Sequence, residues 1–434
     1  MVRIEFLGGA REVGRSAILI ESKGGSKCIL DYGIRFNNEE RLPYDTDLSN
    51  LKVIALTHCH IDHSGGLPFL YKERTPPLIT NQITLRVSEI LLKDMIKISN
   101  YHIPFGLREL DILRRNTHFL KNGVRQKISD KFFISFFDAG HIPGSVSILV
   151  EVDDKKLLYT GDINTISTNL VHPANAKTIP KINSLITEST YALREHPQRE
   201  ELEEKFVEKI INVIDDGGNV LIPAFGVARS QEVLLILNKY GYKGEIYLDG
   251  LARKVSLTYM DFPKFIRNFN FFKKAVKKAK FGNRKNRKSI INKSESVIIS
   301  PSGMLKGGAA IDYIKEILLD SLSAVYLVGY QVEGSPGRKL LDEGIFEYQE
   351  KLDSIYPKNN LSIKARCDFD YFDFSSHADR SHLQEYINNL QFTGDSNFIF
   401  CVHGEEKATT NLAKIYSEKN FNSIAPEAGE IYKI

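Results

Sequence analysis

The most informative segment of the sequence reads Thr57-His58-Cys59-His60-Ile61-Asp62-His63-Ser64-Gly65-Gly66. It brings three histidines and an aspartate within six positions, directly after the apolar run Val53-Ile54-Ala55-Leu56. The period of two of a β-strand puts His58 and His60 on the same side as the chain leaves a sheet. Closely spaced imidazole and carboxylate groups are the ligands expected for zinc or a similar divalent ion, and alternating ligands can serve two metals. The segment therefore predicts a metal site at the end of a strand.

Length and composition are those of an ordinary globular protein. A chain of 434 residues is long enough for two or three domains, and its 42% hydrophobic and 26% charged residues are close to the average. No apolar run reaches the roughly 18 residues that would predict a membrane span, and Met1-Val2-Arg3-Ile4-Glu5-Phe6 lacks a signal-peptide pattern. We therefore expect a cytoplasmic protein without a membrane partner. Neither a disulfide framework nor a cysteine zinc site is predicted from the spacing of Cys28, Cys59, Cys367 and Cys401.

Basic residues are concentrated in one part of the chain. The net charge is +4, and residues 264–293 contain twelve Lys and Arg but no Asp or Glu. Such a block fits a polyanionic partner. It also fits the solvated face of a helix over Phe269 to Lys280, and the sequence alone leaves both interpretations open.

Residues with metal-binding or acid–base chemistry follow several apolar, strand-like runs at the point where each run ends. They are Asp31, His58, His141, Asp162 and Glu188. In layered α/β proteins, functional groups collect at the carboxyl ends of the strands, so we expect these side chains to share one cleft. An Asp before Gly is by itself most often a turn residue. Five residues at equivalent strand ends are harder to explain in that way.

The chain changes character after about residue 195. Longer alternating strand and helix patterns, such as the amphipathic helix from Leu202 to Ile214, predict a second, Rossmann-like layer. Candidate metal ligands return near the C-terminus, where the predicted strand Asn397 to Val402 ends in His403. The sequence therefore predicts a first domain that is interrupted by a second one and completed by the C-terminal segment.

Taken together, these motifs resemble a known family. The opening segment, with Asp31, His141 and Asp162, is similar to the metallo-β-lactamase fold, and later motifs narrow the resemblance to its β-CASP nucleases. The chain most resembles β-CASP ribonucleases related to the 73 kDa subunit of the cleavage and polyadenylation specificity factor, in a form without KH domains. The motifs that carry this resemblance are Gly8-Gly9-Ala10-Arg11-Glu12-Val13-Gly14-Arg15-Ser16, Leu158-Tyr159-Thr160-Gly161-Asp162, Thr187-Glu188-Ser189-Thr190-Tyr191, Pro223-Ala224-Phe225-Gly226, Ser375-Ser376-His377-Ala378-Asp379 and Val402-His403-Gly404-Glu405.

The fold implied by the resemblance is an α/β protein with an αββα metallo-β-lactamase sandwich and an inserted, Rossmann-like β-CASP domain. Residues 1–190 would form the first part of the metallo-β-lactamase domain, and residues 373–434 would form its C-terminal part. The β-CASP domain would occupy residues 191–372.

The resemblance also implies two zinc ions per chain, with manganese as an alternative metal. The first ion is assigned to His58, His60 and His141, the second to Asp62, His63 and His403, and Asp162 bridges the two. Asp31 matches a position that orients ligands without binding the metal itself. Histidine at position 403 points to RNA as the substrate, because family members that act on DNA tend to have valine there.

Hydrolysis of a phosphodiester bond needs an attacking hydroxide, neutralised charge on the phosphate and a proton for the departing oxygen. Two metal ions supply the first two, and we count Asp62 among the catalytic groups. The candidate general acid is His377, oriented by Glu188. A histidine at a helix start is in isolation more often packed or solvated, but the surrounding motif favours the catalytic role.

Further residues are predicted to hold the RNA. Backbone N–H groups of Ser302 and Gly303, in a turn after a predicted strand, are candidates for phosphate binding, although an ordinary tight turn fits the sequence equally well. Ser375 is a further candidate. The basic block adds lysines that would attract an RNA backbone without specificity, namely Lys273, Lys274, Lys277 and Lys278.

The favoured function is a zinc-dependent ribonuclease that cuts RNA internally, in the 3′-end processing or turnover of transcripts. Related archaeal proteins suggest a homodimer. The nearest alternative is digestion from the 5′ end, as in relatives of the RNase J type. A catalytically silent RNA-binding subunit is disfavoured because the ligand set is complete, and a small-molecule metallohydrolase because the basic insertion has no evident use there.

Overall fold

The protein is described from a computed structural model, in residues 1–35, 41–98, 103–349, 360–394 and 397–434. The chain forms two compact units. The first contains Met1–Ser167, Val171–Glu195 and Ser376–Ile434, and the second contains Thr168–Leu170 and His196–Ser375.

The N-terminal part of the chain is rich in strands. The strands are β1 (Arg3–Gly8), β2 (Ala17–Glu21), β3 (Lys27–Leu30), β4 (Leu51–Ala55), β5 (Leu78–Thr80), β6 (Thr117–Phe119), β7 (Arg125–Ser129), β8 (Phe132–Asp138), β9 (Val146–Val152), β10 (Lys155–Tyr159) and β11 (Ser184–Glu188). The helices are α1 (Ile61–Ser64), α2 (Gln82–Ile98) and α3 (Leu107–Arg115).

The middle part alternates strands and helices. Its strands are β12 (Val220–Pro223), β13 (Glu245–Leu248), β14 (Lys280–Phe281), β15 (Ser296–Ser300), β16 (Ala324–Leu327), β17 (Ile345–Gln349), β18 (Asn360–Lys364) and β19 (Asp368–Tyr371). Its helices are α4 (Arg199–Asp215), α5 (Arg229–Lys239), α6 (Gly250–Tyr259), α7 (Phe269–Lys278), α8 (Arg287–Lys293), α9 (Ala310–Ile317) and α10 (Pro336–Glu343).

The C-terminal part returns to the first unit. It consists of the helix α11 (Arg380–Asn389), the strand β20 (Phe398–Val402), the helix α12 (Glu406–Ser417), and the strands β21 (Asn422–Ile424) and β22 (Ile431–Lys433).

Two seven-stranded sheets form the centre of the first unit. Their strand orders are β22-β1-β2-β3-β4-β5-β6 and β21-β20-β11-β10-β9-β8-β7. The C-terminal strands therefore complete both sheets, because β22 pairs antiparallel with β1 and β20 pairs parallel with β11. The alternation of apolar residues along these strands buries one face of each sheet against the other, with Phe6, Phe136 and Phe400 in the shared core.

Helices cover the outer faces of the two sheets. Leu85 of α2 and Leu113 of α3 pack on the outside of the first sheet. Leu383 of α11 and Leu412 of α12 pack on the outside of the second. The first unit is therefore the four-layer αββα arrangement predicted from the sequence.

The second unit is built on a six-stranded sheet with the order β14-β13-β15-β12-β16-β19, whose paired strands are parallel. Helices α9 and α10 pack on one face through Ile314 and Leu340, while α5 and α6 contact β15. A parallel sheet with helical connections is the Rossmann-like layer expected from the alternating pattern. The predicted fold class is thus confirmed.

Several elements were absent from the sequence-based prediction. The small antiparallel sheet of β17 and β18 was not predicted, nor were the strands β21 and β22, whose three residues each are too few for a clear alternation. Among the described residues, no helix has both the length and the apolar character needed to cross a membrane. The four cysteines are buried, and none forms a disulfide.

Candidate metal centre

The loops that follow the strands of the first unit bring the predicted side chains together. Asp31 follows β3, His141 lies shortly after β8, and Glu188 is the last residue of β11. The one-turn helix α1 begins directly after His60 and carries Asp62. This turn passes so close to Gly33 that a Cβ there would lie 1.7 Å from the carbonyl oxygen of Asp62, so only glycine fits.

One group of ligand atoms consists of nitrogens from His58, His60 and His141 and an oxygen of Asp162, all within 4.8 Å of one another. The Nδ1 atom of His60 lies 3.2 Å from Nε2 of His58 and 3.1 Å from Nε2 of His141. The same two Nε2 atoms lie 3.4 and 3.6 Å from Oδ2 of Asp162.

A second group contains Asp62, His63 and His403. Nε2 of His403 lies 3.7 Å from Oδ2 of Asp62. The other carboxylate oxygen of Asp162, Oδ1, lies 3.1 Å from Nε2 of His63 and 3.5 Å from Nε2 of His403. Asp162 therefore turns one oxygen towards each group.

The residues present fit divalent cations. Nε2 of His63 and Oδ1 of Asp162 are buried, and apart from their mutual approach at 3.1 Å neither has a hydrogen-bond partner among the described residues. Buried polar atoms with so few partners are costly unless a cation also binds them. Burial also lowers the pKa of His58 and His141 well below the usual value, and that of His60 to about 4, which keeps these imidazoles neutral and able to bind a metal.

Carboxylates dominate the electrostatics of the second group. Burial disfavours the charged form of His63, but Asp162 and Asp31 on its two sides raise its pKa well above the usual value. Burial likewise opposes the charge on Asp162, yet His63 and His403 hold its pKa well below the usual value. An ionised Asp162 suits a site for cations.

Four of the histidines are fixed from outside through Nδ1, which turns Nε2 towards the ligand groups. Their partners are Thr57 Oγ1 at 3.0 Å for His58, Asp31 Oδ2 at 2.7 Å for His63, the backbone oxygen of Ser376 at 2.7 Å for His141, and Ser16 Oγ at 2.8 Å for His403. His60 is the exception, because its Nδ1 itself faces the group. Thus the outer partner sets which nitrogen each of these four histidines offers.

Asp31 is the centre of a buried hydrogen-bond network. It accepts hydrogen bonds from the backbone N–H of Thr57 at 2.7 Å, from Oγ1 of Thr57 at 2.8 Å and from the hydroxyl of Tyr159 at 3.0 Å. Gly161 makes room for the threonine, since a Cβ there would lie 2.9 Å from Cβ of Thr57. Sequence reasoning gave no role to Thr57, Tyr159 or Ser16, although all three lie in the quoted motifs.

His377 lies beside this centre within the same unit. Its Nδ1 lies 3.0 Å from each carboxylate oxygen of Glu188, and its Nε2 lies 3.9 Å from Oδ2 of Asp162. Glu188 is itself fixed by the N–H of Ile163 at 2.6 Å. Burial favours the neutral imidazole, but Glu188 outweighs it and raises the pKa of His377 to about 9. Glu188 therefore favours the protonated form of the ring.

The candidate RNA-binding residues all lie in the second unit. The N–H of Ser302 donates to the carbonyl of Gly307 at 3.2 Å, and the carbonyl of Gly303 accepts from Nε2 of Gln331 at 2.9 Å. The N–H of Ser375 donates to Asp373 at 3.2 Å. Exposed positions on α7 hold the remaining candidates, Lys273, Lys274, Lys277 and Lys278.

Three protein-family models match successive parts of the chain. The metallo-beta-lactamase superfamily matches residues 10–174, the Beta-Casp domain matches residues 230–340, and the Zn-dependent metallo-hydrolase RNA specificity domain matches residues 362–426.

Similar proteins come from archaea. RNase aCSPSF2 of Saccharolobus solfataricus is 34% identical, with 98% of this chain and 84% of that protein covered. The transcription termination factor FttA of Methanocaldococcus jannaschii is 31% identical over 95% of this chain and 68% of its own length. The RNase J-like protein of the same organism is 32% identical over the full length of both chains.

Proposed function

This chain belongs to the β-CASP group of metal-dependent ribonucleases in the metallo-β-lactamase superfamily, and from that membership we propose that it is a two-zinc endoribonuclease. The observation that carries the proposal is the position of Asp162, with one carboxylate oxygen towards each of two ligand groups. A single shared carboxylate would hold two ions close together, which is the arrangement used in two-metal hydrolysis of phosphodiesters.

In this proposal His58, His60 and His141 would hold the first ion, Asp62, His63 and His403 would hold the second, and Asp162 would offer one carboxylate oxygen to each. When bound, the ions supply Lewis acidity that neutralises phosphate charge and lowers the pKa of water. Asp31 keeps His63 oriented through its hydrogen bond to Nδ1. Asp62 is the most exposed of the carboxylates here, at 31%, which leaves it accessible from solvent.

His377 is the proton donor for the departing oxygen. Its Nδ1 is occupied by Glu188, so the proton available for transfer is the one on Nε2, on the side of Asp162. Glu188 holds the ring in this orientation and favours its protonated form. The pair binds no metal in this proposal, although its ligand atoms lie within 4.8 Å of one another and of Asp162, so an unchanged zinc content after its removal is a test of the assignment.

A role in the formation of transcript 3′ ends is supported by the similarity to FttA, which is a transcription termination factor. Internal cutting is the activity that such a role needs, because a new 3′ end must be made within a longer transcript.

A covalently closed circular RNA tests internal cutting, because an enzyme that needs a free end cannot attack it. We expect the zinc-loaded protein to linearise the circle, and the His377→Ala variant to bind zinc normally but cut it far more slowly. A linear RNA of the same sequence serves as the control. Degradation of the linear RNA with the circle left intact would refute internal cutting.

Digestion from the 5′ end is the second candidate, and the similarity to an RNase J-like protein over the full chain favours it. Linear RNA labelled at either end separates the two activities. Progressive loss of the 5′ label as mononucleotides, without internal fragments, would support the exonuclease.

The homodimer suggested by the resemblance stays a prediction. Light scattering on the purified protein should give a mass near twice the 49.2 kDa of one chain. A mass of one chain at micromolar concentration would contradict it.

A further inference from the structure

The basic block between residues 264 and 293 is not uniform in the structure. Five of its side chains are used inside the second unit: Arg267 donates to the carbonyl of Thr168, Lys278 donates to the carbonyl of Tyr242, Lys280 and Lys293 pair with Glu245, and Arg287 pairs with Asp249 and Asp312. These five side chains contact other parts of the fold, so they are less available to a polyanionic partner than the rest of the block.

The other basic residues of the block are exposed, and none forms an ion pair with any residue in the described ranges. Three of them, Lys273, Lys274 and Lys277, lie together on α7, and we call them the lysine face. The fourth lysine of this helix, Lys278, is excluded from the lysine face because its Nζ donates a hydrogen bond to the backbone carbonyl of Tyr242 at 2.8 Å.

The helix α7 has two distinct sides. Phe272, Ala275 and Val276 are buried, and the ring of Phe272 packs against Tyr259 with centroids 6.2 Å apart. The lysine face is therefore fixed on the solvent side of a helix that is anchored in the core.

Helix stability does not explain the lysine face. Lys273 and Lys277 are four residues apart on one helix, where like charges repel. Only the last turn gains from the helix dipole, and Lys273 lies in the middle of the helix. The block also contains no Asp or Glu that would neutralise these charges locally.

We propose that the lysine face binds the backbone of the RNA substrate by charge and without reading sequence. This inference rests on the proposed ribonuclease function. An ammonium group on a flexible stem is a point charge that tolerates many phosphate positions, which suits contact with any sequence. Phosphate contacts of this kind give binding that weakens steeply with salt.

The test measures RNA affinity as a function of salt. The parent is full-length, zinc-loaded protein with His377→Ala, so that bound RNA is not cut. A fluorescent single-stranded RNA is titrated from 50 to 500 mM salt against the parent and against Lys273→Gln/Lys274→Gln/Lys277→Gln in the same background. Each phosphate contact contributes about 0.7 to the slope of log affinity against log salt. Losing three contacts should therefore lower the slope by about 2 and the affinity by up to about 100-fold at 0.1 M salt.

A matched control has the same change in charge elsewhere. Lys52→Gln/Lys121→Gln/Lys131→Gln alters three exposed lysines of the first unit and should change the slope by less than half as much. The lysine-face variant without His377→Ala should hydrolyse bis(4-nitrophenyl) phosphate at the wild-type rate, because that small diester needs only the metal centre. Its melting temperature should also be unchanged, since the altered side chains are exposed.

An unchanged salt slope, or an equal loss in the control variant, would overturn the proposal. If the zinc-loaded parent bound no RNA at all, the ribonuclease function and the lysine face would both be overturned. If the parent bound RNA and the lysine-face substitutions did not change the salt slope, the proposed function would stand and this inference alone would fail.

Discussion

Removing the hydroxyl of Thr57 should weaken zinc binding without unfolding the protein. Thr57 is fully buried, and its Oγ1 donates to Asp31 at 2.8 Å. The same oxygen lies 3.0 Å from Nδ1 of His58 and accepts a hydrogen bond from the proton on that nitrogen. It therefore orients His58, a ligand of the first proposed metal ion. Through Asp31 it also reaches His63 of the second group. Thr57→Val keeps the shape of the side chain and removes only these hydrogen bonds.

The size of the effect follows from the contacts that are lost. The valine variant leaves the Nδ1 proton of His58 buried without an acceptor, which costs about 1–3 kcal/mol. Each 1.4 kcal/mol is a factor of ten in affinity, so the first zinc ion should bind about 10- to 100-fold more weakly. The second ion should lose less, because Asp31 keeps its bonds from the N–H of Thr57 and from Tyr159.

Competition with a chromophoric zinc chelator measures both binding steps. Thr57→Ser keeps the hydroxyl and should restore affinity to within about threefold. Because Asp31 loses a buried hydrogen bond in the valine variant, that variant should melt at a lower temperature than the serine variant without metal, while still unfolding cooperatively. If the valine variant bound zinc as tightly as wild type, the hydrogen bond to His58 would have no role. If the serine variant were as weak as the valine variant, packing of the methyl group against Gly161, which valine keeps and serine lacks, would contribute as much as the hydroxyl.

Two further predictions concern the proton donor and the second unit. His377→Ala should keep its zinc but cut RNA about 10²- to 10⁴-fold more slowly, the usual contribution of a general acid; a variant with wild-type rates would remove His377 from the reaction. Glu203 is buried, but hydrogen bonds from Arg199 and Lys239 outweigh burial and lower its pKa below the usual 4.5. Its charged form thus stabilises the fold above pH 4.5, and this stability is lost as pH falls through the lowered pKa. Glu203→Gln should cost about 1–3 kcal/mol in urea unfolding at pH 7, with the difference from wild type shrinking below pH 4.5; a difference that grew in acid would contradict this assignment.

The general position of the candidate site could be predicted because it depends on regular features. Asp31 follows a strand of the first sheet, whereas His141 follows β8 and Glu188 ends β11, two non-adjacent strands of the second, so residues far apart in sequence come together at the carboxyl ends of strands from both sheets. The two-residue period of a β-strand predicted less about the orientation of individual side chains. His58 and His60 were expected on the same side, and they offer different ring nitrogens, Nε2 and Nδ1, to the same group.

The partners that fix each ring had no separate signal in the sequence. Ser16 meets His403 across 387 positions. The partner of His141 is the backbone oxygen of Ser376, and any residue type could supply that atom. Asp31 and His403 also have positive φ angles of 57° and 46°, which the surrounding packing must hold and which local propensity does not favour.

The ion-pair partners of the basic block, residues 264–293, could not be predicted from the sequence either. Counting charges along residues 264–293 identified an excess, but the acids that neutralise part of it, Glu245 and Asp249, come from outside the block. Only the tertiary structure separates the lysines that form these pairs from those of the lysine face.

The most direct test of the metal centre is the zinc content of the purified chain, measured by elemental analysis on wild type and Asp162→Ala in parallel. Because Asp162 faces both ligand groups, we predict two zinc ions per chain in wild type and less than one in the variant, with cleavage of RNA lost in step. Negligible zinc in active wild-type protein, or an Asp162→Ala variant that keeps both ions and its activity, would contradict the account.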